Sequence, residues 1–171
     1  KFLVRDDGAL GDRNDLRCVS LEHKMGINAS PTCVMSFGDD GGAEGYLVGE
    51  ENRGIEYMFT MMNNARLSVG LQGVALAERS YQHALAYAQE RVQGKSTETG
   101  ERVTIDNHAD VKRMLLSMKS QIEAGRALTY AAAMALDEAE TGDSNAKGKV
   151  DILTPLVKAW CTDMAVDVTS L

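Results

Sequence analysis

The 171-residue sequence is poor in proline, cysteine, aromatic residues and positive charge, and these shortages exclude several classes of protein. Two prolines and 44% hydrophobic residues exclude a disordered polymer and allow a sizeable core. Eighteen Lys and Arg against 25 Asp and Glu give a formal net charge of −7. This acidic balance argues against nucleic-acid and membrane-surface partners, because both favour a basic face. The apolar runs are only a few residues long, so we expect no membrane span.

The few cysteines lack the spacing of a metal site or of a CxxC motif; they are Cys18, Cys33 and Cys161. We therefore expect buried or free thiols in a reducing cytoplasm, and no metal site. The chain starts with KFLVR and stops at VTSL without a cap or a tail. These ends predict a piece of a longer protein.

Residues 1–50 carry the turn pattern of β-hairpins or a meander, because glycine and aspartate supply turn conformations. Four short strands make at best a marginal sheet, so this half is expected to be the edge of a larger one. The strand-like runs are KFLVR, RCVSLEHK, TCVMSFG and GYLVG, separated by loops such as DDGALGDRND and GDDGGAEG.

Residues 51–171 carry the periodicity of three helices. The first is predicted from about residue 52 to 92, a length of roughly 60 Å that requires packing in a bundle. After a polar loop, GKSTETGERVTI (94–105), the second is predicted to start near Asn107 as its cap. The third is predicted to start near Val150 or at Thr154–Pro155. The predicted buried stripe of the first helix is Leu67, Leu71, Val74, Ala77, Tyr81 and Leu85. That of the second is Val111, Leu115, Met118, Ile122 and Leu128, and that of the third is Leu156, Val157, Trp160, Met164 and Val168.

These patterns predict a mainly α, α+β fragment. Short antiparallel strands from the edge of a β-domain precede three long antiparallel helices of a four-helix-type bundle. Gly70 and Gly73 in the first helix are expected to permit close helix packing. A fourth helix, from a further segment or from another subunit, would close the bundle.

Four motifs follow one another between Leu21 and Gly94. They are KMGINASPT (24–32), YLVGEENRG (46–54), ARLSVGLQG (65–73) and YAQERVQG (87–94). Their order and spacing resemble the acyl-CoA dehydrogenase family, at the junction between its middle β-domain and its C-terminal helical domain. The segments NNARL and ERVQG are most similar to sequences of the bacterial branch that includes methylthiopropionyl-CoA dehydrogenase and broad-range acyl-CoA dehydrogenases. The resemblance implies that residues 1–50 are the C-terminal part of the middle β-domain and 51–171 a truncated helical bundle domain.

The resemblance implies α,β-desaturation of an acyl-CoA thioester, in which a glutamate removes the α-proton and FAD takes the hydride. In one branch that glutamate directly precedes the arginine of the first helix, but here the position is Ala65, which cannot accept a proton. In other branches the base follows the third helix. We therefore expect the base outside this chain, name no catalytic residue in it, and expect the fragment alone to be inactive. Glu123 and Glu138 are interpreted as residues of solvated helix faces.

The same resemblance implies cofactor contacts for Arg91 and Gln93, since the family's helix-ending arginine contacts the FAD pyrophosphate of a neighbouring subunit. A guanidinium suits a phosphate pair because its donors are forked and permanently charged. The family's R-x-x-F-G motif reads RVQG here, which leaves the packing on the adenine side open. Arg66, with Asn63 beside it, is expected to contact the substrate near the mouth of the acyl-CoA site. The alternative for all four is a solvated or salt-bridged helix surface.

The family further implies a cytoplasmic homodimer or homotetramer in fatty acid metabolism, with electron-transfer flavoprotein or a similar acceptor as its partner. Two alternatives stay open. One is a flavin-dependent acyl-CoA oxidase of the same fold, and the other is a non-catalytic helical interaction module. Turnover with and without an artificial electron acceptor separates the oxidase. A downstream GG-x-G-Y segment with an acidic residue would argue against the module.

Overall fold

A computed structural model describes residues 2–171, which divide into two compact units, one ending at Arg53 and the other comprising Gly54–Leu171. Among the described residues, the first unit holds four strands, and the second holds three helices and a short hairpin. The predicted fold class, mainly helical with short antiparallel strands, is confirmed. None of the helices between residues 2 and 171 is both long and apolar enough to cross a bilayer.

The first unit consists of two antiparallel hairpins, in which β1 pairs with β2 and β3 pairs with β4. A turn between β1 and β2 has Gly8 at a φ of 80°, where Asp7 Oδ1 accepts the Ala9 N–H at 2.9 Å. The left-handed backbone at Gly8 is accessible to glycine at little cost. The strands are β1 (Phe2–Val4), β2 (Leu10–Arg13), β3 (Leu16–Leu21) and β4 (Cys33–Phe37).

Three of the four predicted strand runs are strands, and two expectations for this unit are wrong. The predicted loop 6–15 contains β2, because the turn at Gly8 returns the chain to pair with β1. The run at 45–49 is not a strand. Leu47 and Val48 are 67% and 85% exposed, and no strand in the described part of the unit pairs with them.

The second unit is built on three mutually packed helices, α1 (Gly54–Glu90), α2 (Ala109–Glu140) and α3 (Ser144–Ser170). The 37 residues of α1 span about 55 Å at 1.5 Å per residue, close to the prediction. Gly70 and Gly73 face Val157 and Cys161 in the same order, so α1 and α3 run parallel. α2 runs antiparallel to both.

α2 begins after the predicted start, and the predicted cap at Asn107 is wrong. The N-cap residue is His108, whose side chain makes no capping hydrogen bond. Asn107 instead belongs to a 3₁₀ turn, Ile105–Asn107, and its amide donates to Thr104 Oγ1 at 2.9 Å. The Asn107 side chain closes this turn, so it is not aimed at the first amides of α2.

α3 starts at Ser144, before both predicted positions. Asp143 is its N-cap, and Asp143 Oδ1 accepts the Asn145 N–H at 2.8 Å. The predicted start at Thr154–Pro155 is wrong, because Thr154 is buried in the core and Pro155 lies inside the helix. Proline removes one helical hydrogen bond, so packing of α3 on α1 and α2 must hold the helix together there.

The segment between α1 and α2 is a hairpin, although its sequence predicts a polar loop. β5 (Val92–Lys95) pairs antiparallel with β6 (Arg102–Thr104). At its tip, Ser96 C=O accepts the Gly100 N–H at 2.9 Å, with Gly100 at a φ of 76°. The hairpin matters for the candidate site, because only Arg91 separates the end of α1 from β5.

The core lies among the three helices and confirms the centres of the predicted stripes. Val74 and Ala77 are 2% and 0% exposed, whereas Leu71 and Leu156 are each 50% exposed. Packing among the three helices thus buries one side of each predicted stripe and leaves the other side exposed to solvent. The buried cluster is Val74, Ala77, Met118, Ile122, Ala132, Val157, Cys161, Met164, Ala165 and Val168.

The closest helix approach occurs where α1 presents glycines to α3, which confirms the packing role predicted for them. A Cβ on Gly73 would meet the Cys161 carbonyl oxygen and lie 2.8 Å from its carbonyl carbon. A Cβ on Gly70 would lie 3.1 Å from the carbonyl carbon of Val157 and meet its side chain. Both glycines therefore allow backbone-to-backbone contact that any larger residue would prevent.

Replacing Gly73 tests this contact. Gly73→Ala is expected to lower the free energy of unfolding by about 1–3 kcal/mol, because the new methyl overpacks against the α3 backbone. The matched control is Gly148→Ala in α3, where nothing lies within 4 Å of the added Cβ. That change should raise stability by about 1 kcal/mol through helix propensity. Urea unfolding followed by circular dichroism measures both, and equal stabilities for the two variants would contradict the close contact.

Candidate functional site

The four residues predicted to bind ligands fall into two groups along α1. Asn63 and Arg66 lie in its first half, while Arg91 and Gln93 follow its last residue, Glu90. Twenty-five residues separate the two arginines, which is about 37 Å along a helix axis. The structure therefore brings Asn63 to Arg66 and keeps this pair far from the other.

The Arg66 guanidinium is held by its own helix. Arg66 Nη1 donates to Asn63 Oδ1 at 3.3 Å, and its Cζ lies 5.5 Å from the centroid of the Phe59 ring. Positions three and seven residues earlier lie on the same helix face, so the helix geometry produces both contacts. No carboxylate within residues 2–171 forms a salt bridge with Arg66. A half-buried cation is thus positioned by an amide and a ring, with its charge left for an anion.

Arg91 lies at the point where α1 stops and the hairpin begins. Its N–H donates to Tyr87 C=O at 2.9 Å, and its C=O accepts the Ile105 N–H at 2.8 Å. The backbone is therefore fixed on both sides. The side chain is exposed, and in the described part of the chain it makes no hydrogen bond or salt bridge.

Gln93 lies in β5, and its backbone is tied to the start of α2. His108 Nε2 donates to Gln93 C=O at 2.7 Å, so Nε2 carries a proton in this arrangement. The next residue, Gly94, has a φ of 77°, and a Cβ there would lie 3.0 Å from the same nitrogen. The imidazole therefore packs against the hairpin backbone, and the Gln93 side chain remains exposed.

His108 is the positioning residue that sequence reasoning missed. The sequence suggested only that it lacks metal-ligating neighbours, and no group of three His, Cys, Asp or Glu suited to a metal ion occurs within the described residues. The position of His108 directly before α2 gives only a weak sequence signal. Its hydrogen-bond partner, the Gln93 carbonyl, lies fifteen residues earlier in the chain. Only the hairpin brings the two together.

The two glutamates predicted to lie on solvated faces do so. Glu123 Oε1 lies 3.8 Å from Lys119 Nζ, and Glu138 Oε2 lies 3.8 Å from Lys149 Nζ. Their side chains are 66% and 40% exposed, respectively. Exposed pairs of this kind contribute little to stability and offer no enclosed carboxylate for proton abstraction.

The three long helices, which alternate in direction along the chain, and the hairpin after α1 define a helical-bundle domain, and the comparisons identify its family. Residues 52–171 match the family model described as acyl-CoA dehydrogenase, C-terminal domain. The chain belongs to the acyl-CoA dehydrogenase family. The family predicted from the four sequence motifs is confirmed.

Two curated relatives cover nearly the whole chain. The chain is 50% identical to 3-methylmercaptopropionyl-CoA dehydrogenase of Ruegeria pomeroyi, over 100% of this chain and 30% of the relative. It is 38% identical to the broad-specificity linear acyl-CoA dehydrogenase of Mycobacterium tuberculosis, over 96% of this chain and 29% of the relative. The chain therefore spans about a third or less of the length of the curated relatives it matches. These two names agree with the bacterial branch indicated by NNARL and ERVQG.

A solved structure supports the same fold. Butyryl-CoA dehydrogenase from Megasphaera elsdenii superposes with a TM-score of 0.71 at 27% identity. The match covers 91% of this chain and 37% of that one. The individual roles of Asn63, Arg66, Arg91 and Gln93 remain predictions.

The bond between His108 and Gln93 can be tested directly. His108→Ala removes a hydrogen bond worth about 1 kcal/mol, so amide hydrogen exchange in residues 92–95 should accelerate about fivefold. The control is His83→Ala on exposed α1 surface, where the described structure records no side-chain hydrogen bond. Hydrogen-exchange mass spectrometry measures both. A similar acceleration in the two variants would mean that His108 does not hold the hairpin.

Proposed function

We propose that the protein carrying this chain is an FAD-dependent acyl-CoA dehydrogenase that desaturates the α,β-bond of an acyl-CoA thioester. The observation that carries the proposal is the 50% identity over the whole chain to 3-methylmercaptopropionyl-CoA dehydrogenase. The 171 residues supply part of that enzyme. Residues 1–50 form the C-terminal part of its middle β-domain, and residues 51–171 form part of its helical bundle domain.

Arg91 and Gln93 fit the cofactor's diphosphate. The exposed Arg91 guanidinium has no partner within residues 2–171, and its backbone is fixed by Tyr87 and Ile105. A forked cation on a fixed backbone binds a phosphate pair with little ordering cost. When bound, FAD supplies the hydride acceptor for the reaction. The exposed Gln93 amide adds a neutral donor beside this charge.

Asn63 and Arg66 suit the anionic part of the acyl-CoA ligand. Arg66 is already ordered by Asn63 and Phe59, so binding costs little side-chain entropy. Because these two residues lie about 37 Å from Arg91 along α1, one chain does not use both groups on one small ligand. This distance supports a site assembled from two subunits, with Arg91 reaching the cofactor of its neighbour.

The α-proton is removed by a carboxylate outside these 171 residues. Ala65 presents a methyl group at the position where one branch of the family carries its glutamate. Glu123 and Glu138 are solvated and paired with lysines. The residues of this chain therefore bind and orient ligands, and the proton transfer belongs to another segment.

A cytoplasmic homodimer or homotetramer is the expected assembly. An apolar groove of about 250 Å³ between α1 and α3 is lined in part by Leu76, Ala165 and Val166. Leu76 and Val166 are 62% and 65% exposed, which favours cover by another helix.

Desaturation releases two electrons, and electron-transfer flavoprotein or a similar protein accepts them.

A spectroscopic experiment tests the function as a whole. The purified parent protein should be yellow, and anaerobic addition of an acyl-CoA should bleach the flavin absorbance. Turnover should require an artificial electron acceptor; turnover with oxygen alone would identify an oxidase instead. A colourless protein that neither takes up FAD nor turns over acyl-CoA would overturn the proposal.

Removing the charge of Arg91 should weaken cofactor binding. Arg91→Ala is expected to lower FAD affinity roughly tenfold to a hundredfold, the value of a charge-assisted hydrogen bond. Arg91→Lys should recover part of the loss, because lysine keeps the charge without the forked geometry. Arg79→Ala, at an exposed arginine of the same helix, is the control. Flavin fluorescence on dilution measures release, and equal affinities for all variants would remove Arg91 from the cofactor site.

Removing Arg66 should affect the substrate and not the cofactor. Arg66→Ala is expected to raise KM for acyl-CoA about tenfold, with kcat and flavin content nearly unchanged, because the contact is uniform through the reaction. The same Arg79→Ala variant serves as the control. Steady-state kinetics with a flavin assay distinguishes the two arginines. A loss of flavin with no change in KM would contradict the substrate role.

A further inference from the structure

Two cysteines lie on one face of the β3–β4 hairpin. Cys18 pairs opposite Met35, and Cys33 pairs opposite Leu21. Residues two apart on a strand point to the same face, so Cys33 shares the face of Met35 and hence of Cys18. The two thiols are therefore diagonal neighbours across the strand pair.

A bulge lies within this diagonal pair. The register shifts between Cys18 and Ser20, which inserts Val19 as an extra residue in β3. Bulges bend a strand and increase its local twist, which changes the diagonal distances across the pair. Desolvation, followed by a hydrogen bond with the Cys18 side chain, raises the pKa of the Cys33 thiol. The two thiols therefore lie close enough for Cys18 to influence the protonation of Cys33, while Cys18 Sγ itself donates to Ser20 C=O at 3.4 Å.

The third cysteine, Cys161, differs from this pair in its exposure and in its surroundings. Cys161 is 0% exposed in the helical core, where its Sγ lies 3.8 Å from Gly125 C=O and from Thr129 Oγ1. Cys18 and Cys33 are exposed thiols. A small oxidant therefore reaches the hairpin pair and not the core cysteine.

We propose that Cys18 and Cys33 form a reversible dithiol–disulfide pair, a modification site for low-molecular-weight disulfides such as oxidised glutathione. Closing it would join β3 to β4 covalently and enclose residues 19–32, including the connection between the strands. The proposal stands on the hairpin geometry and is independent of the proposed enzyme activity.

The reaction balances with one oxidised glutathione. The thiolate of Cys18 attacks one sulfur of glutathione disulfide, forms a mixed disulfide and releases one glutathione thiolate. Cys18 attacks first because the raised pKa of Cys33 disfavours its thiolate. The thiolate of Cys33 then attacks Cys18 Sγ and releases the second glutathione. Both cysteines are oxidised, the glutathione disulfide is reduced, and the two thiol protons end on the two glutathione molecules.

Peptide mapping tests the pair in the parent protein, because trypsin separates the two cysteines. Cleavage after Arg17, Lys24 and Arg53 places Cys18 in peptide 18–24 and Cys33 in peptide 25–53. The native protein is treated with oxidised glutathione, denatured in acid, alkylated and digested. The expected result is a disulfide-linked pair of these peptides, with both alkylated forms falling together and the Cys161 peptide still fully alkylated. Separate glutathione adducts on the two peptides, or no reaction, would overturn the proposal.

Two variants check that the link depends on the hairpin face. Cys33→Ser should abolish the linked species and leave a stable glutathione adduct on Cys18. The double variant Cys33→Ser with Val34→Cys moves the thiol one residue along β4, to the opposite face. It should give no link. A linked species as abundant as in the unmodified protein would show that strand geometry does not select the pair.

Discussion

The contact on which the helical unit depends is the backbone-to-backbone approach of α1 and α3. At Gly73 the two helices are so close that a single Cβ would lie 2.8 Å from the Cys161 carbonyl carbon. α2 then packs over this pair, and Gly125 admits the Trp160 ring and the Met164 side chain at 3.1 and 3.2 Å from its Cβ position. Glycines on two of the three helices thus set the separations of all three. Interior packing resists small changes of volume, so these separations are fixed.

The fixed helices turn α1 into a rigid carrier of the predicted ligand-binding groups, and the two arginines are positioned by different means. Arg66 is held by side chains of its own helix, Asn63 and Phe59. Arg91 lies beyond the helix, and contacts from the 3₁₀ turn and from His108 hold that segment. A disturbance of the core would therefore reach Arg91 through the hairpin, while the local contacts of Arg66 would persist.

The wrong sequence predictions arise where other contacts outweigh a residue's local preference. The Thr154–Pro155 pair has the local chemistry of a helix start, but burial of Thr154 and its neighbours keeps the helix continuous across the proline. Asn107 has the chemistry of a cap, but its amide is used within the preceding turn. The β5–β6 hairpin follows no apolar alternation. In each case a partner distant in the chain, or a competing local bond, outweighed the residue's own preference.

The sequence by itself determined the two-part order of strands and helices, the family, the length of α1 and the centres of the buried stripes. Those features follow from periodicity and from motif spacing, which are properties of consecutive residues. Tertiary structure alone decided that Gly73 touches the Cys161 backbone, that His108 holds Gln93, and that Cys18 and Cys33 share one face of the β3–β4 hairpin. These contacts join residues from fifteen to nearly ninety positions apart, and no local pattern encodes which distant group will arrive beside them.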